Sequence, residues 1–274
     1  MTHNSPTPKT QEDYTPGYGK EVIRSYQTRS VQFEAAFFYP HLQAGMNLLD
    51  CGSGPGTITM GLAEIVEPGT VIGIDVKPGQ VEIAEATCRE RGLSNVLFQI
   101  SSVYQLPFPD SSFDGAFVHA VLQHLKDPGA ALREINRVLK PGGIVGVRDD
   151  DQGGMVLAPA DPKMEKVVDL LKKIIRAGGG DPFVGRRHRQ LLREAGFTRV
   201  VGSASTECDG TLQSTTTRGD LAAALLDHMT ETVVKSGWST AAEVRELADA
   251  CKAWGRDADA FDAIIWCEAV GWKP

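Results

Sequence analysis

Residues 47–57, Asn-Leu-Leu-Asp-Cys-Gly-Ser-Gly-Pro-Gly-Thr, constrain this chain more than any other stretch: an apolar strand runs into an acidic residue and then into a glycine-rich turn that opens a helix. Glycines at such a turn let the backbone come close to a ligand. Nineteen residues beyond Gly56, a second short apolar strand, Val71-Ile72-Gly73-Ile74, ends in Asp75. A carboxylate there is placed to accept hydrogen bonds from ribose hydroxyls. Two strand ends facing one ligand predict a pocket for a nucleoside cofactor.

Spacing and charge narrow the cofactor. A dinucleotide fingerprint requires G-x-G-x-x-G/A, but here the third glycine comes one residue early and Thr57 stands where the last Gly or Ala belongs. Asp50 also opposes a pyrophosphate, which needs the positive end of the helix. The same carboxylate attracts a cofactor carrying a sulfonium and an ammonium group, as S-adenosylmethionine (SAM) does.

Around this site strands and helices alternate. Strands are expected at 47–50, 71–75, 96–100, 115–119 and 144–148, and helices at 56–65, 79–91 and 128–139, an order that makes a parallel sheet with helices on both faces. Asp127-Pro128 supplies an N-cap and a first-turn proline, and Pro141-Gly142-Gly143 stops the helix.

The segments Asp50-Cys51-Gly52-Ser53-Gly54-Pro55-Gly56, Gly73-Ile74-Asp75, Leu106–Asp114, His124-Leu125-Lys126-Asp127-Pro128 and Arg137–Gly143 follow one another in the order shown by class I SAM-dependent methyltransferases. Over roughly residues 14–197 the chain resembles that family, and most closely the small-molecule enzymes of the ubiquinone and menaquinone biosynthesis group. The resemblance implies an α/β, Rossmann-like open sheet, mostly parallel with an antiparallel final strand, capped by helical lid elements from the N-terminus and from insertions. It also implies a cofactor site made by Tyr18, Arg29, Asp50, Gly52, Gly54, Gly56, Asp75, Val76, Gln80, Ser102, Val103 and His119. One departure stands out. The family usually has an acidic residue after the third strand to hold the adenine amino group, whereas this chain reads Ser101-Ser102-Val103. A Ser102 hydroxyl can still accept that bond, more weakly than a carboxylate.

The remaining chain divides into expected parts: a disordered start at 1–13 and a single domain from 14 to 274. Within that domain lie a helical cap at 14–40, with a helix over 20–39 ended by Pro40, a lid at 149–180 and a helical insertion at 209–260. In the lid, 149–154 reads as a loop and Asp161-Pro162 opens a helix that Gly178-Gly179-Gly180 breaks. A helix at 187–195 leads to a strand at 197–204, parallel to its neighbours, and residues 263–270 form the closing antiparallel strand. The insertion carries helical patterns at 220–235 and 241–253, the second opened by a Thr240-x-x-Glu243 capping box.

A net charge of -7 argues against nucleic acid as substrate, because such binding draws on Lys and Arg to neutralise phosphates. The five cysteines, Cys51, Cys88, Cys208, Cys251 and Cys267, are widely separated and contain no C-x-x-C pair, so neither a disulfide framework nor a metal site is expected. The polar, proline-containing N-terminus does not look like a signal peptide, and no apolar run is long enough to cross a bilayer. A soluble cytoplasmic protein, monomeric or homodimeric, is the expectation.

Methyl transfer needs a dry site that aligns nucleophile, methyl and sulfur more than it needs catalytic side chains. Where the nucleophile carries a proton, His119 at the end of the fourth strand is the candidate base, the alternatives being contact with the cofactor's methionine part or a helix cap. His124 follows one turn later and reads more readily as packing. Arg148 ends the fifth strand before Asp149, Asp150 and Asp151; it either reads the substrate, with Asp149, or neutralises Asp149 or Asp150. Within the insertion Asp227, His228 and Trp238 are candidate substrate contacts, if those helices roof the methyl group rather than pack on the sheet's flank or form a dimer interface. The cluster Phe33, Phe37, Phe38 and Tyr39 reads as packing. The competing readings are a SAM-binding regulator that methylates nothing and, less favoured by the glycine spacing, an NAD-dependent oxidoreductase. Neither the acceptor nor its reacting atom, whether carbon, oxygen or nitrogen, follows from the sequence.

Overall fold

The computed structural model describes residues 26–274. Tyr18, the disordered start expected at 1–13 and the cap's first part lie outside the described residues. The elements, in order, are α1 (Val31–Glu34), β1 (Leu48–Cys51), α2 (Thr57–Val66), β2 (Val71–Asp75), α3 (Pro78–Arg91), β3 (Val96–Ile100), β4 (Phe113–His119), α4 (Pro128–Val138), β5 (Leu139–Asp150), β6 (Val156–Ala158), α5 (Pro162–Ala177), α6 (His188–Glu194), β7 (Thr198–Asp209), α7 (Leu212–Lys235), α8 (Ala241–Gly255) and β8 (Phe261–Trp272).

The sheet has eight strands in the order β3-β2-β1-β4-β5-β8-β6, with β7 paired to β8. Strands β1 to β5 are mutually parallel and β8 runs antiparallel to β5, β6 and β7. This is the open, mostly parallel sheet expected. Strand β7 departs from expectation: its neighbour is the antiparallel β8, which lies between it and β5, and it continues to Asp209. Running in the same direction as β5, it still ends at the carboxyl edge of the sheet. Asp149 and Asp150, expected in a loop, close β5.

Local chemistry sets the helix limits. Asp127 caps α4 by accepting from the Ala130 N–H at 2.8 Å, and Ala131, Leu132, Ile135 and Val138 form its buried stripe. In the N-terminal segment the expected continuous helix is interrupted. Residues 26–27 are helical, the backbone extends at Ser30, and the Ser30 N–H donates to the Glu34 carboxylate at 2.6 Å to start the single turn α1. The aromatic cluster divides: Phe38 is buried, with Phe37 and Phe38 ring centroids 6.2 and 5.6 Å from Phe117, while Phe33 and Tyr39 are exposed.

Each sheet face buries an apolar cluster, one under α4 and α6, the other under α2 and the N-terminal segment. A third core is separate: Met164, Val167, Leu170 and Ile174 of α5 pack with Leu226, Met229 and Val233 of α7 and Leu247 and Trp254 of α8. The insertion thus supplies two helices of a three-helix unit. Helix α7 starts eight residues earlier than its apolar pattern showed, because Thr211 and Ser214 cap one another reciprocally. At α8 Thr240 accepts from the Glu243 N–H as expected, but the Glu243 carboxylate turns to Lys166 and Ser239, so the box is half formed. The two helices touch through backbone: a Cβ on Gly219 would lie 2.4 Å from the Cys251 carbonyl oxygen, and one on Gly255 2.6 Å from that of Thr215.

Candidate active site

The loop between β1 and α2 rises from the carboxyl edge. Gly52 and Gly56 have φ of 77° and 82°, and a Cβ would lie 2.3 Å from Val121 Cγ2 at the first and 2.6 Å from the Phe98 ring at the second. No other residue fits either position without strain. Asp75, at the tip of β2, ties the loop down: Oδ2 accepts from the Gly54 N–H at 3.1 Å and Oδ1 from the Lys77 N–H at 2.9 Å. Burial raises its pKa, although the residue is only half-buried. Val76, which follows, is exposed beside it.

Two buried polar atoms beneath this loop, Ser53 Oγ and Gln80 Oε1, have no hydrogen-bond partner. Buried polar atoms are normally satisfied, so their orphaning marks a surface shaped for a polar ligand. The glycine cradle, the Asp75 carboxylate and these atoms fit a nucleoside cofactor.

Asp50 differs from the free carboxylate expected to attract a sulfonium. It is buried at the β1–α2 junction, where the Thr59 hydroxyl donates to Oδ2 at 2.6 Å, and burial pushes its pKa to about 7. One of its oxygens therefore braces α2. Ser102 follows β3, and its hydroxyl accepts from the Tyr104 N–H at 3.3 Å in a local turn, while the Val103 side chain enters the core.

At the ends of β4 and β5, His119 and Arg148 are Cα partners, and Arg148 is the Cα partner of Glu268 on β8, which pairs with Ser203 on β7. One polar row therefore crosses four strands. Arg148 neutralises neither Asp149 nor Asp150: its Nε lies 3.4 Å from Glu268 Oε1 and its guanidinium stacks over Trp266 at 4.2 Å. Burial, with the charges of Arg29 and Arg148, holds the His119 pKa well below 6.5, so the ring is neutral. Burial likewise lowers His124, to about 3. Arg29 lies over its own segment's Tyr26, 4.4 Å from the ring centroid.

Four expected substrate contacts fall elsewhere. Asp149 is fully buried, accepting from the Gln123 N–H at 3.1 Å and lying 3.0 Å from His188 Nε2, so it fastens the turn after β4 to α6. Asp227 and His228 are exposed, on a turn of α7 whose neighbours Leu226 and Met229 take the inward face. Trp238 packs against the three-helix core at the turn between α7 and α8. A 24-residue helix rises about 36 Å, which carries that turn far from the sheet edge where α7 begins. Conversely, Glu34, Trp266 and Glu268 were not singled out from sequence. Glu268 and Trp266 alternate with apolar residues in a strand, and that spacing was the available signal.

Among the described residues no cluster of three or more His, Cys, Asp or Glu could hold a metal ion, and no helix is long and apolar enough to cross a membrane.

Comparison with known proteins agrees with this geometry. A family model described as a methyltransferase domain matches residues 49–147. A protein of Aspergillus luteorubrus named "Probable methyltransferase ltbC" is 30% identical across 95% of this chain and 97% of its own. An uncharacterized methyltransferase of Schizosaccharomyces pombe is 32% identical over 73% of this chain and 75% of its own. The ubiquinone/menaquinone biosynthesis C-methyltransferase UbiE of Shewanella oneidensis is 35% identical over 46% and 49%. Among solved structures, the YcgJ protein of Bacillus subtilis superposes with a TM-score of 0.60 at 21% identity, covering 88% of this chain and 98% of YcgJ. The [4+2]-cyclase SpnF superposes with a TM-score of 0.53 at 27% identity, covering 90% and 85%. With a full-length relative of that similarity, a matched methyltransferase domain and this sheet, the chain belongs to the class I SAM-dependent methyltransferases.

Proposed function

We propose that the chain methylates a small organic acceptor, held against the carboxyl ends of β4 and β5, with SAM in the cradle formed by Gly52, Gly54, Gly56, Asp75, Gln80 and the Ser102–Val103 turn. When bound, the cofactor supplies an electrophilic methyl on a sulfonium. The chain's own residues orient and desolvate. Asp75 accepts from the ribose, Val76 lies beside the adenine, and Asp50, only partly ionised at neutral pH in the free protein, ionises fully beside the cationic methionyl part. Ser53 and Gln80 satisfy their buried atoms against the ligand.

The observation that carries this reading is the pair of orphaned atoms, Ser53 Oγ and Gln80 Oε1, under a glycine loop at the edge where β4 presents His119. The neutral His119 either holds a proton-bearing nucleophile or lines the methionine part. Helix α5 serves as a lid, because the chain just past its C-terminus meets the turn after β4, with the Asp181 N–H donating to the Gln123 carbonyl at 3.0 Å. The five free cysteines suit a reducing cytoplasm.

Neither a regulator nor an NAD enzyme gains support from the relatives. Because one structural relative is a cyclase, the deciding assay is product formation. Native mass spectrometry of the purified protein should show SAM or S-adenosylhomocysteine, and label from methyl-tritiated SAM should pass to an organic-soluble product when small-molecule extracts are supplied. Label that stays in SAM with every extract refutes the reading.

A further inference from the structure

The polar row across β4, β5, β8 and β7 has unequal hydrogen-bond capacity. Its carboxylates are occupied. Glu268 Oε1 accepts from the Ser205 hydroxyl at 2.6 Å and Oε2 from that of Ser203 at 2.8 Å. Glu207 accepts from Trp266 Nε1 at 3.0 Å and from Arg218 at 2.9 Å, and Glu34 accepts from the Ser30 N–H. Its donors are not. Arg148, 1% exposed, donates only a long 3.4 Å bond to Ser205, leaving Nη1 and Nε without hydrogen-bond partners. His119, 6% exposed, has no side-chain partner on either ring nitrogen, and only the Arg148 backbone lies within its reach. The two are Cα partners, and Trp266 joins them, its ring 5.0 Å from that of His119 and stacked under the Arg148 guanidinium. A guanidinium has five donors and no acceptor, so what is missing here is an acceptor.

Charge gives the same answer. Arg29, Arg148 and the carboxylates of Glu34 and Glu268 face this point, with Glu207 already engaged by Arg218. A cationic ligand would find every one of those carboxylates already accepting. An anionic one would find unfilled donors beside two guanidinium charges.

Building on the methyltransferase reading, we infer that the acceptor presents an anionic oxygen, a phenolate, an enolate or a carboxylate, to Arg148 Nη1 and His119. For a phenolic acceptor the hydroxyl proton leaves to solvent on binding. In transfer to oxygen, an oxygen lone pair then forms the O–CH3 bond as the C–S bond breaks. The sulfur keeps that bond's electrons and becomes a neutral thioether, so no proton remains in the pocket.

The test uses 4-nitrophenol and 4-nitrobenzoate on the full chain saturated with S-adenosylhomocysteine, whose own affinity is measured on every sample. The visible absorbance of 4-nitrophenol reports its ionisation while bound. We expect the phenolate to bind at least tenfold more tightly than the phenol, lowering the bound probe's midpoint by about one pH unit. In Arg148→Met the preference should fall below twofold, and in Arg148→Lys it should persist. Tighter binding of 4-nitrobenzoate than 4-nitrophenolate assigns the oxygen to a carboxylate, and the reverse to a phenolate or enolate. Absence of saturable binding by both probes, a raised midpoint, or a preference undiminished in Arg148→Met overturns the inference. Retained S-adenosylhomocysteine affinity separates that failure from failure of the methyltransferase reading. If Arg148→Met does not fold, the wild-type midpoint still decides.

Discussion

Replacing Asp75 with asparagine alters the proposed cofactor site by one charge at nearly constant volume. In the free protein the carboxylate accepts from the Gly54 and Lys77 amides, and its remaining lone pairs are the proposed acceptors for two ribose hydroxyls. Hydrogen bonds to a charged acceptor contribute about 1.5–3 kcal/mol and those to a neutral one about 0.5–1.5 kcal/mol, so neutralising the group removes about 1 kcal/mol or slightly more per ribose bond. The asparagine must also direct its NH2 at one of two loop N–H groups, but that cost falls on free and bound protein alike and cancels in affinity. The sum, about 2–3 kcal/mol, is a 30- to 150-fold weaker dissociation constant for SAM. Calorimetry at pH 7.5 reads it directly, with circular dichroism confirming the fold and NADH showing no saturable binding to either protein. A change under threefold would refute the assignment of Asp75 to the ribose.

Gly52→Ala combines a φ of 77° with a Cβ 2.3 Å from Val121 Cγ2, so it should cost about 1–3 kcal/mol of stability and abolish SAM binding, checked by thermal melting and calorimetry. Ser102→Asp preserves an acceptor for the Tyr104 N–H and adds a second oxygen for the adenine amino group, so SAM affinity should rise or stay equal; a loss above tenfold would remove Ser102 from the adenine site. Asp50, pushed to about 7 by burial against about 3.9 unfolded, keeps a proton in the folded state that the unfolded chain releases. Its stabilising contribution is therefore complete below pH 4 and is lost as pH rises through 7. Asp50→Asn should consequently flatten the decline in Tm between pH 5 and 7.5 in the cofactor-free protein, and an unchanged slope would show that another group sets it.

The parts legible in sequence were those whose signals are local. The strand, glycine turn and helix around Asp50–Gly56 need only neighbouring residues, as does the capped start of α4, and the alternation of elements dictated the sheet. Less legible was anything decided by contacts between distant segments. Arg148 chooses Glu268 and Trp266 over the adjacent Asp149 because strand register, not sequence proximity, sets its neighbours. Asp149 is claimed from the other face of the sheet by His188, thirty-nine residues away. The early start of α7 was hidden because Ser214 fills the capping position where Glu or Gln is the usual marker. The insertion's core-facing residues depended on α5, whose apolar stripe was visible but whose partner was not.

Two helices of the three-helix unit, α7 and α8, hang from the sheet by two adjacent antiparallel strands. In connectivity, residues 210–260 are one enlarged hairpin loop between Asp209 and its ladder partner Asp262. The cost of closing a loop grows only logarithmically with its length, so such a module can be lengthened, shortened or exchanged with little penalty to the sheet. Side chains nevertheless join the helices to the sheet: Trp254 Nε1, on α8, donates to the Ala158 carbonyl of β6 at 3.0 Å, and Arg218, on α7, binds Glu207 and Asp209 of β7 and lies 3.4 Å from Asp262 of β8. Glu207 in turn holds the Trp266 indole, on whose ring Arg148 rests. This chain of contacts runs from the helices to the donor row proposed to hold the acceptor, and passes none of the residues of the proposed glycine cradle.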